Sequence, residues 1–335
     1  MLRVEYGVVM KRLFLLLLIG LLGAGCESQS GFQGRLRVGM MPKLTGIPYF
    51  NACELGARTA AKELGIELIY DGPETADSNK QIEIINSWIV RGFDAIAVAP
   101  NNPQAIAPIL ERARSRGIRV VTWDTDSIQA AREIFCNQVS NSQLAGKLVD
   151  IVAQGINSQG TVALISGTET AANQNAWMRE MRTYAGRHYP DLVFINPVEY
   201  PGEDEVRAYQ SAAGFLRRSP RPDAIVGMTS VSTPAVARAV LDAGLAGEVI
   251  VTGVVLPKTL RPFIEKGVVQ EAVLWNPEDR GYLTVYAAVG MAESDISETP
   301  SMNAGRLGSL KIKEGEVLLG EPLVFTRENI TQYDF

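Results

Sequence analysis

Short apolar runs alternate with longer segments of helical periodicity along most of this chain. Runs rich in Val and Ile are typical of buried strands, and they predict strands over residues 36–41, 66–70, 95–99, 120–123, 161–166, 192–195, 224–228, 249–253 and 269–274. Between these runs apolar residues recur at helical spacing. That spacing predicts helices over residues 49–64, 79–90, 103–116, 173–188, 203–217, 233–243 and 257–266.

This order of elements predicts an α/β fold. Continuous apolar strands that alternate with helices indicate parallel sheets covered on both faces, and two such series in one chain indicate two doubly wound lobes. The length of 335 residues also favours two domains over one large core. Residues 305–335 break the alternation, and within them residues 306–313 alternate apolar and polar side chains, as an edge strand does.

The start of the chain has the layout of an export signal. Lys11 and Arg12 precede an apolar run from Leu13 to Leu22, and small residues then lead to Cys26. The apolar run would form a helix of only about 15 Å, which is about half of the hydrocarbon core of a bilayer. The run therefore predicts a signal peptide rather than a membrane span.

Cys26 resembles the cysteine of a bacterial lipobox, which becomes the lipidated first residue of the mature chain. We therefore interpret residues 1–26 as a lipoprotein signal peptide and the polar residues 27–34 as a flexible tether. The protein is then expected to be exported, to the periplasm or the outer face of the cell membrane, and held there by a lipid anchor only. The alternative is an ordinary signal peptide with an incidental cysteine, and a second start at Met10 stays open.

Two further cysteines, Cys53 and Cys136, complete the total of 3. Cys53 shares a helical face with Ala57, Ala60 and Leu64, which predicts a small core residue rather than a redox group. A disulfide between the two cysteines stays open, because sequence alone cannot place their Cα atoms within bonding range.

Several classes of function lack support in the sequence. The formal net charge is −5 and no basic stretch interleaves with aromatic residues, so nucleic acid is not an expected partner. His188 is the only histidine, which excludes histidine triads and zinc sites with histidine ligands. No glycine-rich phosphate loop or Gly-x-Ser-x-Gly motif occurs. We therefore expect a binding protein with no enzymatic activity, cofactor or metal; the weak alternative is a metal-binding Asp124-Thr125-Asp126 motif of a sugar transferase.

Polar and aromatic side chains follow the predicted strands, where open parallel sheets bind their ligands. The candidate binding residues are Lys43, Tyr49, Phe50, Asn101, Asp124, Asn173, Gln174, Thr229, Ser230, Trp275 and Asn276. Amides and carboxylates suit hydroxyl groups, which both donate and accept hydrogen bonds, and aromatic planes suit the apolar face of a sugar ring. This mixture predicts a neutral polyhydroxylated ligand. The competing interpretations are a solvated Lys43, a helix-capping Asn173, and core positions for Trp123 and Trp177.

Segments throughout the chain after residue 35 resemble the sugar-type periplasmic binding proteins of ABC transporters, the ribose-binding superfamily. Some segments resemble the autoinducer-2-binding group of this superfamily, namely residues 42–46, 70–73, 122–126 and 328–335. Others resemble its rhamnose-binding group, namely residues 170–177, 229–231, 251–253, 256–257, 275–277 and 320–322. In the autoinducer-2 group a lysine and an aspartate of these motifs contact the ligand, which the resemblance carries to Lys43 and Asp124. That group has aspartate at the position of Asn173 and proline at that of Met228, and this chain departs from it there.

The resemblance implies a type I periplasmic binding protein, in which three chain crossings form a hinge between two lobes. We expect a first lobe of residues 35–137 plus 275–298 and a second lobe of residues 138–274 plus 299–335, with crossings near 137–138, 274–275 and 298–305. The implied function is capture of a small sugar, with a deoxyhexose such as rhamnose as the expected ligand, for the membrane permease of an ABC importer. Autoinducer-2 is the alternative ligand. The effector domain of a sugar-responsive repressor is a distant alternative, and a chemoreceptor as further partner stays open.

Overall fold

The computed structural model describes residues 34–335, so the predicted signal peptide, Cys26 and most of the predicted tether lie outside the described residues. The strands are β1 (Arg37–Met41), β2 (Glu67–Tyr70), β3 (Ala95–Val98), β4 (Arg119–Trp123), β5 (Ile134–Asn137), β6 (Gly160–Ile165), β7 (Leu192–Phe194), β8 (Ala224–Gly227), β9 (Ile250–Gly253), β10 (Ala272–Leu274), β11 (Ser301–Asn303), β12 (Ser309–Lys313), β13 (Glu316–Leu318) and β14 (Leu323–Phe325). The helices are α1 (Pro48–Leu64), α2 (Ser78–Val90), α3 (Pro103–Ser115), α4 (Asn141–Gly155), α5 (Ala172–His188), α6 (Glu205–Leu216), α7 (Ser232–Asp242), α8 (Pro257–Glu265) and α9 (Pro277–Ser294).

Within residues 34–335 the strands assemble into two mainly parallel sheets. The first sheet has the order β11-β12-β13-β5-β4-β3-β1-β2, and the second has the order β7-β6-β8-β9. Strand β10 pairs with β14 in a separate antiparallel ribbon. We call the part of the chain built on the first sheet the first lobe, and the part built on the second sheet the second lobe. The predicted α/β fold with two doubly wound lobes is confirmed.

Local signals explain where the helices begin and end. The carboxylate of Asp77 accepts hydrogen bonds of 2.8 and 3.2 Å from backbone amides of the first turn of α2, which satisfies groups that have no partner within the helix. Helix α1 opens on Pro48, whose fixed φ suits a first turn. It ends at Gly65, whose φ of 67° is the left-handed conformation that glycine adopts without strain.

Some elements were absent from the sequence-based prediction. They are strands β5, β11, β13 and β14 and helices α4 and α9. Helix α9 is buried on nearly all sides, from Pro277 through Met291. A helix without a polar face has no amphipathic stripe, so helical periodicity gives no signal there. Helix α4 is buried over most of residues 144–153 but keeps a polar stripe at residues 143, 147, 150 and 154, so a missing periodicity does not explain its omission.

The C-terminal segment differs from the expected division of the chain. We expected residues 299–335 in the second lobe, but β13 pairs in parallel with β5 of the first sheet. Only β14 lies beside β10. The third crossing therefore lies between Leu318 and Leu323 rather than at 298–305, and that prediction is wrong. Backbone hydrogen bonds from Leu319 to Asn137 (2.9 Å) and from Gly320 to Gln138 (3.3 Å) join this crossing to the first one.

Helices α1 and α9 approach each other closely enough for their backbones to touch. A Cβ atom on Gly281 would lie 1.8 Å from the carbonyl oxygen of Cys53, and one on Gly56 would lie 1.8 Å from that of Glu278. Real Cβ atoms do not approach this closely, so the packing requires glycine at both positions. The contact places Trp275, which lies two residues before α9, beside Tyr49 in the first turn of α1.

Cys53 and Cys136 are both buried and unpaired in the described residues. The core position predicted for Cys53 is confirmed, and the disulfide that the sequence left open does not form in this structure. Burial raises the pKa of the Cys136 thiol to about 12 and that of Cys53 well above its usual range, so neither is a reactive thiolate at neutral pH. Among residues 34–335 no helix is long and apolar enough to cross a membrane.

Candidate functional site

The ends of strands from both lobes meet around a cavity with an empty volume of about 370 Å³. The lining residues are Lys43, Ile47, Tyr49, Phe50, Asp124, Asn173, Gln174, Trp177, Glu203, Met228, Thr229, Ser230, Val254 and Trp275. Nine of the candidate binding residues from the sequence are among them; Asn101 and Asn276 are not. Whether they bind ligand stays a prediction.

Asp124 lies in a strained turn directly after β4. Its φ is 62°, which is uncommon for a residue with a side chain, although aspartate tolerates it better than most. The amide of Thr125 donates to the carbonyl of Trp123 over 2.6 Å and closes a three-residue turn around Asp124. Strain of this kind persists where the surrounding structure enforces it, often at ligand sites. The turn aims the carboxylate into the cavity.

The carboxylate of Asp124 is 4% exposed and is surrounded by donors from both lobes. The hydroxyl of Tyr49 donates to Oδ1 over 2.9 Å. The ammonium of Lys43 lies 3.4 Å from Oδ2, and the amide of Asn173 donates to the same oxygen over 3.5 Å. Each of these groups is also a hydrogen-bonding group for hydroxyls, so the cluster can exchange internal bonds for bonds to a ligand.

Lys43 is a buried charge rather than a solvated one, with 5% of its surface exposed. Its Nζ donates to Oδ1 of Asn173 in the second lobe over 3.0 Å. The backbone of its loop is held by Asn101, whose Nδ2 donates to the carbonyl of Lys43 over 2.7 Å. Gln81, which the sequence did not indicate, donates to the Pro42 carbonyl over 3.1 Å and accepts from the Asn101 amide over 2.9 Å. Asn101 therefore positions Lys43 and does not line the cavity.

Tyr49 links the carboxylate to an aromatic wall. The indole Nε1 of Trp275 donates to the Tyr49 hydroxyl over 2.9 Å, and that hydroxyl donates onward to Asp124. Burial, reinforced by the charge of Asp124, raises the pKa of Tyr49 well above its usual range, so its hydroxyl stays protonated and remains a donor. The contact between α1 and α9 sets the spacing of this chain of hydrogen bonds.

The wall itself consists of rings and aliphatic groups. Phe50 lies edge-on to Tyr49 with centroids 5.1 Å apart, and Trp177 lies 5.8 Å from Trp275. The remaining apolar lining residues are Ile47, Met228 and Val254. Of the two tryptophans that the sequence left open, Trp177 lines the cavity, whereas Trp123 is fully buried in the core.

The polar side of the cavity in the second lobe is centred on Gln174. Its Oε1 accepts from the hydroxyl of Ser166 and from the amide of Gly167, both over 2.9 Å, and its Nε2 donates to Glu203 over 3.2 Å. Two donors on Oε1 fix the orientation of this amide. Thr229 follows β8 and accepts from backbone amides in its own turn while it lines the cavity.

Two sequence-based interpretations of asparagine are revised. Asn276 does not line the cavity; its Oδ1 accepts from the amides of Glu278 (2.9 Å) and Asp279 (3.2 Å) and so caps α9. Asn173 does not cap a helix, because it lies within the first turn of α5, where no side-chain cap forms. Its side chain instead faces the cavity and joins Lys43 to Asp124.

Some residues that line the cavity were not indicated by the sequence, and Glu203 is the charged one among them. The others are Ile47, Met228 and Val254, and Trp177 was not among the candidate binding residues. A usable signal for Glu203 was the Tyr-Pro-Gly-Glu sequence at residues 200–203, which follows the apolar run at residues 192–195. Residue Glu199 forms a parallel bridge with Ile165, so Glu203 lies beyond the carboxyl end of an extended segment.

A metal centre has no support in the described residues. No group of three or more histidine, cysteine, aspartate or glutamate side chains converges within residues 34–335. Asp126 turns away from Asp124 and pairs with Arg132 over 2.8 Å. The carboxylates of the Asp-x-Asp sequence therefore do not form one site, and the sugar-transferase interpretation loses its basis.

Comparison with known proteins agrees with this geometry. Residues 38–295 match the model of the periplasmic binding protein domain. The D-allose-binding periplasmic protein of Escherichia coli is 26% identical over 250 residues, which cover 71% of this chain and 79% of the relative. A solute-binding protein of an ABC transporter from Clostridium phytofermentas, solved with bound L-rhamnose, is 29% identical with a TM-score of 0.85, covering 90% of this chain and 98% of the other. LsrB from Clostridium saccharobutylicum in complex with AI-2 has a TM-score of 0.84 at 24% identity, covering 90% and 100%, and shows the shared fold.

The fold and the cavity between its lobes define a binding protein that encloses a small ligand. The chain belongs to the periplasmic binding protein family, and the proteins that it is similar to include sugar-binding periplasmic proteins and solute-binding proteins of ABC transporters. Proteins of this class are exported, bind sugars and work with membrane permeases. Its relatives are transport proteins and not enzymes, which confirms the expectation of a non-enzymatic function.

Proposed function

We propose that this protein captures a neutral deoxyhexose, with L-rhamnose as the expected ligand, and delivers it to the permease of an ABC importer. The observation that carries the proposal is the cavity itself, which sets the Asp124, Lys43 and Asn173 cluster against a wall of rings. The relative solved with L-rhamnose supports the choice of sugar.

A 6-deoxyhexose carries a methyl group where its parent hexose carries a hydroxymethyl group. Tyr49, Phe50 and Trp275 offer a surface that suits this methyl and the apolar face of the ring. An extra hydroxyl against the same surface would lose its hydrogen bonds to water without gaining a partner. Asp124 and Asn173 are the proposed partners for the ring hydroxyls. Asn276 is not among these partners, because its side chain caps α9.

Closure of the two lobes around the ligand is the proposed transport signal. Asn173 from the second lobe contacts Lys43 and Asp124 from the first, and the hydroxyl of Thr170 donates to the carbonyl of Asn101 over 2.8 Å across the cleft. These contacts exist only when the lobes are together. A ligand that bonds to both lobes therefore favours the closed form, which the permease would recognise.

Autoinducer-2 is the alternative ligand, because the resemblance assigns ligand contacts to Lys43 and Asp124 and both line the cavity. The positions where this chain departs from the autoinducer-2 group, Asn173 and Met228, line the same cavity. Both departures therefore fall where they would alter ligand contacts. The smaller, more oxygenated autoinducer-2 would also leave the apolar wall unfilled, which favours the deoxyhexose.

Thermal unfolding with candidate ligands tests the proposal. A ligand that binds only the folded state raises the melting temperature by mass action. We expect L-rhamnose to raise it and mannose to raise it much less. A shift with autoinducer-2 and none with L-rhamnose would overturn the choice of ligand while leaving a binding protein. If neither acts, a panel of pentoses and other hexoses decides whether the protein binds a sugar of another kind.

We also propose a lipid anchor at Cys26. The support is the lipobox-like sequence after the apolar run from Leu13 to Leu22. Cys26→Ser should move the protein from the membrane fraction to the soluble exported fraction, because several acyl chains hold a protein firmly at a membrane and none would remain. Identical fractionation of the variant and the wild type would contradict the anchor.

A further inference from the structure

The cavity contains a second carboxylate, Glu203, which the connection between β7 and α6 supplies from the second lobe. Its φ of 62° is in the left-handed region that residues with side chains seldom adopt. Gly202, with a φ of 78°, precedes it, and the Gly202 amide donates to the carbonyl of Gly167 over 2.8 Å. The backbone is thus held in an unfavourable conformation at a residue that faces the cavity, which is a common property of ligand sites.

The neighbouring residues make room for this side chain and orient it. A Cβ atom on Gly167 would lie 2.4 Å from Oε1 of Glu203, so glycine at that position leaves space for the carboxylate. Gln174 donates to the same oxygen over 3.2 Å, and the orientation of its amide is fixed by Ser166 and by the Gly167 amide. Glu203 is therefore held in place by a Gln174 amide whose own orientation is fixed.

The charges that face Glu203 define what the cavity accepts. Among the described lining residues, Lys43 is the cation and Asp124 and Glu203 are the anions. Lys43 already lies 3.4 Å from Asp124. The lining therefore carries one more negative than positive charge, and no unpaired cation faces the cavity to balance an anionic ligand. An anion placed there would be repelled by a carboxylate in a region of low dielectric constant.

Building on the proposed function, we propose that Glu203 binds a ligand hydroxyl from the second lobe and sets specificity for neutral sugars over sugar acids and sugar phosphates. A carboxylate is a stronger acceptor for a hydroxyl than a neutral amide. Asp124 from the first lobe and Glu203 from the second would then hold the sugar between two charged acceptors. A ligand bonded to both favours closure, since the open form cannot supply both contacts.

The pH dependence of binding follows from the surroundings of Glu203. Burial raises the pKa of its carboxyl above that of an ordinary glutamate, and Asp124 adds to this. Lys43 and hydrogen bonds from Thr229 and Gln174 act in the opposite direction but do not cancel the effect. Acceptance of a ligand hydroxyl favours the ionised form. Affinity is therefore full above the pKa of Glu203 and falls as the pH drops through it, at a higher pH than an ordinary glutamate would give.

Glu203→Gln is the test, because glutamine keeps the shape of the side chain and an acceptor for Gln174. We expect titration calorimetry to show about 10-fold weaker binding of L-rhamnose and a flatter pH profile than that of the wild type. Glu205→Gln is the matched control: Glu205 is exposed in the first turn of α6, and its variant should bind like the wild type. Gly167→Ala should weaken binding as well, since the added methyl displaces Glu203.

D-galacturonate serves as the sugar-acid probe, and the wild type should not bind it. Equal affinity of Glu203→Gln and wild type for L-rhamnose, or tight binding of D-galacturonate by the wild type, would overturn the role of Glu203. In the first case the proposed sugar-binding function would stand. If no neutral sugar of the panel shifts the melting temperature of the wild type, both the proposed function and this inference fail.

Discussion

Asp124→Asn is the sharpest test of the central carboxylate. Asparagine keeps the size of the side chain and an oxygen that can accept from Tyr49. It also tolerates the φ of 62° at least as well as aspartate, which alanine does not. The substitution therefore removes the negative charge while leaving the turn after β4 intact. Its effect on binding reports the loss of the negative charge together with one acceptor oxygen, because the new Nδ2 cannot accept from Lys43 or Asn173.

The structure sets the expected magnitude. Asp124 is 4% exposed and accepts from Tyr49 and Asn173 beside the ammonium of Lys43. A hydrogen bond to a charged group contributes about 1.5–3 kcal/mol. Loss of one such bond to the ligand should lower affinity roughly 10- to 150-fold. The fold should also be weakened, because removing one member of a buried ion pair leaves the other charge uncompensated, at a cost of up to about 3–5 kcal/mol.

Two measurements separate the effect on binding from the effect on folding. Titration calorimetry with L-rhamnose gives the affinity, and urea denaturation of the ligand-free protein gives the free energy of unfolding. Lys43→Met and the double variant complete a mutant cycle. If the ion pair is the cause of the lost stability, the double variant should be less unstable than the sum of the single variants.

Two outcomes would refute this reasoning. Unchanged affinity of Asp124→Asn for a sugar that the wild type binds would remove Asp124 from the ligand contacts. Additive effects of the Asp124 and Lys43 substitutions on the free energy of unfolding would show that the 3.4 Å ion pair does not couple the two residues.

The remaining predictions concern closure and packing. Thr170→Val removes the hydrogen bond to the Asn101 carbonyl across the cleft, worth about 0.5–1.5 kcal/mol, so affinity should fall about 2- to 12-fold with unchanged preference among sugars. A change of preference measured by calorimetry would contradict a role in closure alone. Gly281→Ala places a methyl 1.8 Å from the Cys53 carbonyl and should cost about 1–3 kcal/mol or more in thermal unfolding. Gly290→Ala on the same helix meets only the end of a flexible isoleucine and should cost far less; equal losses would show that the α1–α9 contact is not the cause.

Much of the fold could be predicted because its signals are local. Apolar runs such as residues 95–98 give strands that are buried on both faces, and helices between them show their periodicity. Helix α9 was not predicted, because its burial on nearly all sides removes that periodicity. The pairing of β13 with β5 was not predicted either, since the sequence of a short strand does not indicate which distant strand it pairs with.

The candidate site was predictable where it depends on sheet geometry. Asp124 directly follows β4 and Lys43 comes two residues after the end of β1, so their convergence follows from the shared carboxyl edge of parallel strands. Asn276 does not line the cavity, because asparagine before a helix is equally suited to capping, and here the cap forms. Glu203 comes well after β7 in an irregular segment, and only the three-dimensional turn at Gly202 brings it to the cavity.

The return of the chain to the first lobe has a consequence for the order of folding. The second sheet forms from one continuous stretch, residues 160–253, whereas the first lobe also needs α9 and strand β13. During synthesis and export the N-terminal part of the chain emerges first, so the first lobe must wait for segments that follow the entire second lobe. We therefore expect the second lobe to fold early and the binding cavity to form late, after α9 and β13 have been synthesised.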